Sequence, residues 1–600
     1  MISGLRIGNF KAFSDTQYVP IRPLTLIFGP NSSGKSSAIH SLLLGHEAMK
    51  NGNLDIHRTE IGGDSVDLGG FKQYIFNRDT ERQVEWAVEF DTSKFNDRIA
   101  EIFKPSKKTT VGITIKLGFE EDIPDDEEFL NTDIDQFISE VEQAKRIGAK
   151  PGESLIKIAE HLKRYRYRSF KIKDIFSKKP QISTFRIEAD DSPLLHMSVR
   201  RGGILRLEFI NNDHPVFEKI LRAVLETSTT TSKITSEDLK IFREQISELV
   251  AQISTLDKPK FLPRGINVSE KQVRQQENVL WPISKGRRKD ELALAFNFFV
   301  PKLIDEIIKE VTGLAEEQFN RLRYLGPLRS YPPRHLAFAQ YHDPNWYAGG
   351  GYAWDEVSRN VGLREKINEW LGDQKKLSTP YQLIVQNLLT IDQLEDIFAK
   401  KISDIEDKYN EELRDSDIFL SPDDLLEKIH EVPKDLKIVG QDLAEVKELV
   451  LKDKRTDTIV SHRDVGIGVS QVLPVLASAY GTKDSIIAIE QPEIHLHPAL
   501  QAELGDVFIQ SSLGENKNTF LIETHSEHII LRIMRRMRET TNESLPAGLP
   551  SVRPDDVSII YTQPTVSGAV VKVLELDSEG EFLDPWPEGF FEEGFRERFS

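Results

Sequence analysis

The sequence has no cysteine among its 600 residues. This absence excludes disulfides, cysteine zinc sites and thiol nucleophiles, and it favours a reducing compartment, so we predict a cytoplasmic protein. No apolar run approaches 18 residues, which argues against a membrane-spanning helix. The opening "MISGLRIGNFKAF" lacks the long apolar segment of a signal peptide, which agrees with that location.

An excess of positive charge is also lacking, because 96 acidic residues outnumber 78 lysines and arginines and the formal net charge is −18. This argues against a uniformly basic coat for nucleic acid. Three local basic clusters remain, at 163–173, 285–289 and 532–538. The first interleaves Lys and Arg with Tyr and Phe, a mixture that can pair with phosphates and stack on bases. The alternative is a solvated face that balances acidic neighbours, so direct contact with DNA stays open.

A glycine-rich turn follows the first buried apolar strand, which we predict at 24–29. Residues 29–36, "GPNSSGKS", match the pattern G-x-x-x-x-G-K-[ST], and helical spacing continues to Asn51 and Gly52. The glycines let backbone N–H groups face phosphate oxygens, and the start of the helix favours the same anion. Lys35 would add positive charge at the β and γ phosphates, and the Ser36 hydroxyl would bind Mg²⁺. The strand and helix context disfavours the alternative of a chance glycine turn. The predicted nucleotide-binding residues here are Gly29, Pro30, Asn31, Ser32, Ser33, Gly34, Lys35, Ser36 and Ser37.

An acidic strand end lies far downstream, in "SIIAIEQPE". Glu490 ends the predicted strand at 486–490 and would bind Mg²⁺ directly or through water. The next residue is Gln491, whose amide cannot accept a proton. Glu493 or Glu523 would then have to supply a catalytic carboxylate. The alternative is an ordinary strand end with solvated carboxylates.

Two more turns could reach the same phosphates. Gly466, Gly468 and Ser470 open an apolar helix, and they suit a contact with the γ-phosphate, including one made from a neighbouring protomer. His525 follows a strand predicted at 519–524 and could donate to the γ-phosphate or position water. The alternatives are a helix cap packed in the core and a structural histidine.

Together these motifs resemble ABC-type ATPases of the AAA family, in the SMC, RecF and OLD (overcoming lysogenization defect) group. "GPNSSGKS" looks like their Walker A, "IIAIEQPE" like Walker B, "GIGVSQ" like the signature motif and "THSEH" like the switch-histidine region. The resemblance implies an α/β fold, a P-loop NTPase of ABC-ATPase type with an antiparallel β lobe and helical insertions. It also implies ATP and Mg²⁺ bound between two heads of a homodimer or higher oligomer, with Ser470 acting in trans. Lys11 in the first strand and Gln73, as a Q-loop counterpart, would approach the nucleotide.

The likeness is strongest to ATPase subunits of bacterial anti-phage defence systems, of the Septu type and related OLD-like proteins. No clustered D-x-D or E-G pair with a domain's worth of sequence follows "THSEH". We therefore expect no Toprim nuclease domain, and the resemblance implies a separate effector, in the first place a nuclease. Relatives usually have a water-activating glutamate where Gln491 stands, so we expect slow turnover and a sensor or switch role. The alternatives are a DNA repair or chromosome-type ATPase that acts directly on DNA, and a scaffold that binds ATP without turnover.

The pattern along the chain predicts the domain organisation. Residues 1–80 and 456–600 form the two parts of the ATPase head, 81–212 an antiparallel β lobe with a charged helical insertion, 213–320 a helical insertion, and 321–455 a linker and helical lobe. Antiparallel strands are predicted at 83–92, 110–119, 183–189 and 204–210, helices at 121–180, 214–320 and 391–450, a turn at 324–335, a loop at 345–354 and a strand at 557–562.

Overall fold

The computed structural model describes residues 2–118, 179–200, 203–220, 250, 253–267, 288–330, 345–374, 376, 378–388, 395, 399–405, 407–408, 446–461, 465 and 467–587. Several predicted features lie outside these residues. They are all but the end of the helix at 121–180, about half of the helices at 214–320, most of those at 391–450, the basic residues at 163–173 and 285–287, and Gly466.

The strands of the described residues form three sheets. In chain order they are β1 (Ile2–Gly8), β2 (Gln17–Pro20), β3 (Leu24–Phe28), β4 (Val84–Asp91), β5 (Lys108–Gly118), β6 (Lys179–Ala189), β7 (Ser192–Val199), β8 (Leu205–Ile210), β9 (Leu322–Leu325), β10 (Tyr381–Leu388), β11 (Val446–Asp453), β12 (Thr458–Val460), β13 (Ile486–Glu490), β14 (Thr519–Glu523), β15 (Val557–Thr565) and β16 (Gly568–Leu574).

Within the described residues, the α-helices with defined bounds are, in chain order, α1 (Lys35–Asn51), α2 (Phe71–Tyr74), α3 (Asp97–Phe103), α4 (Arg288–Asn320), α5 (Gly351–Arg359), α6 (Val361–Gly372), α7 (Ile467–Gly481), α8 (Pro498–Leu513) and α9 (Glu527–Thr541). None of these helices is long and apolar enough to cross a bilayer.

The parallel sheet positions the candidate site. Its strand order is β16-β15-β3-β14-β13-β9, and the strands are parallel except for β16. All five residues of β3, β13 and β14 are buried, as expected for parallel strands that are covered on both faces. The carboxyl ends of these three neighbouring strands therefore meet at one edge of the sheet.

Alternate residues of the parallel strands enter two different cores, because successive side chains of a strand point to opposite faces. Ile27, Ala488 and Leu521 pack in the core shared with α1 and the antiparallel sheet. Leu26 and Ile489 pack in the core shared with α7, α8 and α9. The central strands thus join both halves of the molecule and have no solvent-exposed face.

A seven-stranded antiparallel sheet, ordered β2-β1-β4-β5-β6-β7-β8, forms the β lobe. Trp86 of β4 fixes this lobe to α1, because its indole Nε1 donates to the carbonyl oxygen of Ser41 at 3.0 Å. A Cβ at Gly45 of α1 would lie 2.6 Å from the Trp86 ring, so the close approach requires glycine. The helix that begins at the glycine-rich turn is therefore held by both sheets.

Several sequence predictions are wrong in detail. Residues 253–267, inside the helices predicted at 214–320, are irregular and form isolated β-bridges. The turn predicted at 324–335 begins inside β9, which pairs with β13, and the helices predicted at 391–450 run into β11, which pairs with β10. β7 was not predicted, and α5 begins at Gly351 inside the predicted loop at 345–354. Short apolar runs fit a helix or a strand equally well, and only the pairing with distant strands decides between them.

Candidate active site

The turn between β3 and α1 has a backbone that few residue types adopt. Gly29, Ser32 and Gly34 have positive φ angles of 146°, 62° and 95°. A Cβ at Gly34 would lie 2.8 Å from the Cβ of Ala12, and one at Gly29 would lie 2.5 Å from the carbonyl oxygen of Thr562. The glycines are thus required by both conformation and space, and they bring the N-terminus of α1 to an open cavity.

This cavity, which we call the α1 cavity, has a volume of about 350 Å³. It lies at the carboxyl edge of the parallel sheet. Its lining residues are Lys11, Ala12, Asn31, Ser32, Ser33, Gly34, Lys35, Ser36, Ser37, His40, Gln491, Glu523 and His525. Residues from three distant parts of the chain therefore share one cavity.

Lys35 is the main cation of the turn. Its Nζ donates to the carbonyl oxygens of Gly29 at 3.0 Å and Pro30 at 2.8 Å, and the side chain is buried. Burial lowers the pKa of the Lys35 ammonium, and the nearby carboxylates of Glu523 and Glu490 oppose this shift. The ammonium is thus held across the turn beside two acids.

Glu490 and Glu523 end neighbouring strands and are paired in the register of β13 and β14. Both side chains are buried. Oε2 of Glu523 accepts a hydrogen bond from the Ser36 hydroxyl at 2.7 Å. Burial and the neighbouring charge of Glu490 raise the pKa of Glu523 to about 7, since two close carboxylates resist ionising together. The site can therefore hold a proton at Glu523 near neutral pH.

Glu490 has two partners that the sequence did not indicate. The Tyr324 hydroxyl donates to its Oε1 at 3.0 Å, and His40 Nε2 lies 3.3 Å from the same oxygen. The His40 contact is within ion-pair distance but does not form a hydrogen bond. Lys11 Nζ lies 2.7 Å from His40 Nδ1, and burial lowers the pKa of His40. A neutral His40 accepts from Lys11 at Nδ1 and presents its Nε2–H to Glu490.

The residues after Glu490 fold back against the end of β14. Gln491 has a positive φ of 47°, and its backbone N–H donates to the carbonyl oxygen of Glu523 at 2.7 Å. The carboxylate of Glu493 accepts from the Thr524 hydroxyl and from the His525 backbone N–H, both at 2.8 Å. Glu493 therefore fixes the turn that carries His525, while the Gln491 residue lines the α1 cavity.

His525 lines the α1 cavity close to Lys35. Burial and the charge of Lys35 lower the pKa of its imidazole. The ring is therefore neutral near pH 7 and can donate one hydrogen bond and accept another.

Arg329 links the acidic strand end to the start of α7. Its Nη2 donates to the carbonyl oxygens of Glu490 at 2.9 Å and Gln491 at 3.2 Å. Its own carbonyl oxygen accepts from the Gln471 amide at 3.0 Å, and its Nη1 donates to the Gln471 carbonyl at 3.3 Å. Burial lowers the pKa of Arg329 to about 10, so the guanidinium stays charged at neutral pH and ties the backbone of both segments together.

Comparison with protein families agrees with this arrangement. The family model described as "AAA ATPase domain" matches residues 1–291 and 356–530, which is more than half of the chain. The chain belongs to this AAA ATPase family. A second model, DUF3696, described as a protein of unknown function, matches residues 552–597 of this AAA ATPase. No curated protein matches the chain.

Solved structures give a weaker likeness. The AAA ATPase is similar to the Smc head domain from Pyrococcus furiosus, bound to the C-terminal domain of ScpA, with 10% identity, 96% of each chain covered and a TM-score of 0.31. It is similar to the SMC head domain from Thermotoga maritima with 8% identity, 96% and 99% coverage and a TM-score of 0.29. The family model and the sheet with its glycine-rich turn carry the assignment to an α/β P-loop ATPase with an antiparallel lobe.

The structure brings most of the predicted site residues of this AAA ATPase together. Four of them are absent from the cavity lining but contact residues that line it; they are Gly29, Pro30, Glu490 and Glu493. Three further predicted residues are also absent from the lining of the α1 cavity within one chain. Gln73 lies on the short α2, Gly468 in α7 lies beside the carbonyl oxygen of His495, and Ser470 is buried in the same helix. Their contacts with a nucleotide stay predictions.

His40, Tyr324 and Arg329 were missed for different reasons. His40 follows Ser36 by four residues on α1, so it lies on the same helix face and the spacing alone could have indicated it. Tyr324 and Arg329 fall in the segment that the sequence predicted as a turn. Only the pairing of β9 with β13 places them beside Glu490.

Proposed function

We propose that this AAA ATPase binds ATP with Mg²⁺ in the α1 cavity and hydrolyses it. The observation that carries the proposal is that the N-terminus of α1, Lys35 and two buried carboxylates meet at one cavity. A helix N-terminus and a lysine suit phosphates. A serine hydroxyl and an acid suit Mg²⁺, which takes one or two protein ligands and keeps several waters.

In this proposal Ser36 and Glu490 hold the metal ion, and Lys35 contacts the phosphates. When bound, Mg²⁺ neutralises charge that develops on the phosphate oxygens. The Ser36 hydroxyl oxygen can bind a metal while its proton remains donated to Glu523. Lys35 would exchange its bonds to the carbonyls of Gly29 and Pro30 for bonds to phosphate, and these charge-assisted bonds are the stronger kind.

We assign the proton-accepting role to Glu523. Gln491 lines the same cavity, but its amide can only orient water, as a glutamine does in some GTPases. Glu493 has both carboxylate oxygens occupied by Thr524 and His525, so it acts as a positioning residue for the turn. Glu523 is the carboxylate that both lines the cavity and has one oxygen, Oε1, outside the bond with Ser36.

His40 is the residue that we expect to position Glu490 for the metal ion. His40→Leu removes the Nε2–H contact and the acceptor of Lys11. The Mg²⁺ concentration needed for half-maximal ATP binding should therefore rise about 10- to 100-fold, as for other residues that orient a metal ligand. The measurement is the Mg²⁺ dependence of ATP affinity, by fluorescence of a labelled nucleotide. His528→Leu, at an exposed position on α9, is the matched control. An unchanged Mg²⁺ requirement in His40→Leu would contradict this role.

We further propose that ATP binding makes this protein a slow switch in an anti-phage defence complex, with a separate effector, in the first place a nuclease. The resemblance of its motifs to such ATPases and the amide at Gln491 support this role. In the same proposal ATP joins two heads of an oligomer, with Gly468 and Ser470 facing the nucleotide of the partner. Direct action on DNA, in repair or chromosome maintenance, is the second candidate, supported by the basic clusters of the sequence.

Purification together with proteins encoded beside the gene tests the switch role. We expect the mass of the complex, measured with and without ATP, to show an ATP-dependent change in its number of subunits and a bound effector protein. A chain that stays monomeric with ATP and captures no neighbour-encoded protein would contradict it. Salt-dependent binding of DNA by the chain alone would favour the second candidate.

A further inference from the structure

A second cavity of about 680 Å³ lies in the half of the molecule that contains the β lobe. Its wall consists of the segments 52–57 and 69–72, the start of β6, Gly203 and residues 258–260. It shares no lining residue with the α1 cavity. Its volume falls in the range of about 300–1,000 Å³ that is typical of small-molecule sites.

The lining of this cavity is basic, although the whole chain has a net charge of −18. Four lysines line it, together with His57, and we call it the lysine cavity; they are Lys72, Lys179, Lys258 and Lys260. The one carboxylate in the lining, Asp55, uses its Oδ1 to accept the backbone N–H of Phe71 at 2.8 Å. Acidic side chains therefore do not balance the charge of the lining.

Two of these lysines are fitted against glycines with a left-handed backbone. A Cβ at Gly52, whose φ is 68°, would lie 2.5 Å from Cδ of Lys260. A Cβ at Gly203, whose φ is 75°, would lie 2.8 Å from Cδ of Lys258. The absence of side chains at both positions lets the lysine stems lie along the backbone. In the part of the chain that the structure describes, Lys258 and Lys260 make no ion pair, and neither does Lys72.

We propose that the lysine cavity is a binding site for an anion with two or more linked phosphate groups. Several ammonium groups on flexible stems suit phosphates, which they bind as point charges. The aromatic residue in the lining, Phe71, is buried, and stacking on bases requires an accessible ring. The site therefore recognises the phosphates of its ligand and not a base. This inference is independent of the function proposed for the α1 cavity.

Binding of inorganic tripolyphosphate to the full chain, measured by calorimetry at low salt, tests the proposal. Lys35→Ala serves as the parent, because it removes the lysine of the other phosphate site. On that background, Lys258→Gln with Lys260→Gln keeps the length of both stems and removes two charges. We expect affinity to fall at least about tenfold, which corresponds to about 1.4 kcal/mol. Lys94→Gln with Lys366→Gln, at exposed positions outside both cavities, is the matched control, and melting temperatures verify folding.

Two results would overturn the proposal. One is tripolyphosphate affinity that is equal in the cavity variant, the control and the parent. The other is binding of monophosphate as tight as that of tripolyphosphate, because linked phosphates would then have no advantage.

The source of the phosphates is distinguished by a second titration. A single-stranded oligonucleotide that binds more tightly than tripolyphosphate, with affinity falling steeply as salt rises and lost in the cavity variant, assigns the site to nucleic acid. Tripolyphosphate binding without oligonucleotide binding assigns it to a free polyphosphate or nucleotide. Both results support a site for linked phosphates.

Discussion

Lys35→Ala is expected to abolish ATP turnover by this AAA ATPase. The substitution removes the ammonium that lies beside both buried carboxylates and that would balance the phosphates, so phosphate release should fall by about 10²–10³ or more, as when one charge-stabilising group of an active site is removed. ATP affinity should fall by about 10- to 100-fold, because hydrogen bonds to charged groups contribute about 1.5–3 kcal/mol. Steady-state phosphate release and equilibrium binding of a labelled nucleotide measure the two effects separately.

The control for this substitution is Lys94→Ala, which removes an exposed lysine outside the α1 cavity. Phosphate release that continues at the wild-type rate in Lys35→Ala would show that turnover occurs elsewhere. ATP binding without any release from the wild-type protein would instead favour the scaffold alternative, in which nucleotide binds without turnover.

Glu523→Gln should produce the second large effect, a loss of turnover with ATP binding retained. The amide keeps the shape of the side chain and still accepts the hydrogen bond from Ser36, but it cannot take a proton. Loss of a general base costs about 10²–10⁴ in rate. Single-turnover hydrolysis and nucleotide affinity are the measurements. Glu515→Gln, at an exposed site just before the same strand, is the control.

Glu493→Gln separates proton transfer from positioning. Because Glu493 holds Thr524 and the His525 backbone, its loss should disturb the turn and lower the rate less than Glu523→Gln does. The assignment of Glu523 would be wrong if Glu493→Gln stopped hydrolysis and Glu523→Gln did not.

Gln491→Glu provides a complementary result. In the Glu523→Gln background, a carboxylate at this cavity-lining position should restore part of the turnover, and in the wild type it should raise turnover.

The sequence predicted those parts of the site whose residues are contiguous in the chain. The turn from Gly29 to Ser36 is contiguous, so its pattern predicted the glycine-rich turn, the start of α1 and the position of Lys35. The strands at 486–490 and 519–524 were also predicted within one residue of β13 and β14, because a short apolar run bounded by polar residues is typical of a covered parallel strand.

The role of each acid could not be predicted from the sequence in this way. Glu490, Glu493 and Glu523 have similar sequence settings, each at or just after an apolar run. Their difference lies in partners from other elements: Tyr324 and His40 for Glu490, Ser36 for Glu523, and the turn at His525 for Glu493. The oxygens left for a ligand depend on these contacts, which the sequence does not encode by spacing.

The sequence by itself determined that this chain has the phosphate-binding turn of an α/β ATPase, because a turn of eight residues is specified by its own glycines, lysine and serine. Only the tertiary structure decided that β14 lies between β3 and β13, and therefore that Glu523 stands beside both Ser36 and Glu490. Strand order and register depend on the burial of whole strands in two cores. That burial comes from contacts between residues that are distant in the sequence. The acids of the site, and the lysines collected around the second cavity, are neighbours for that reason.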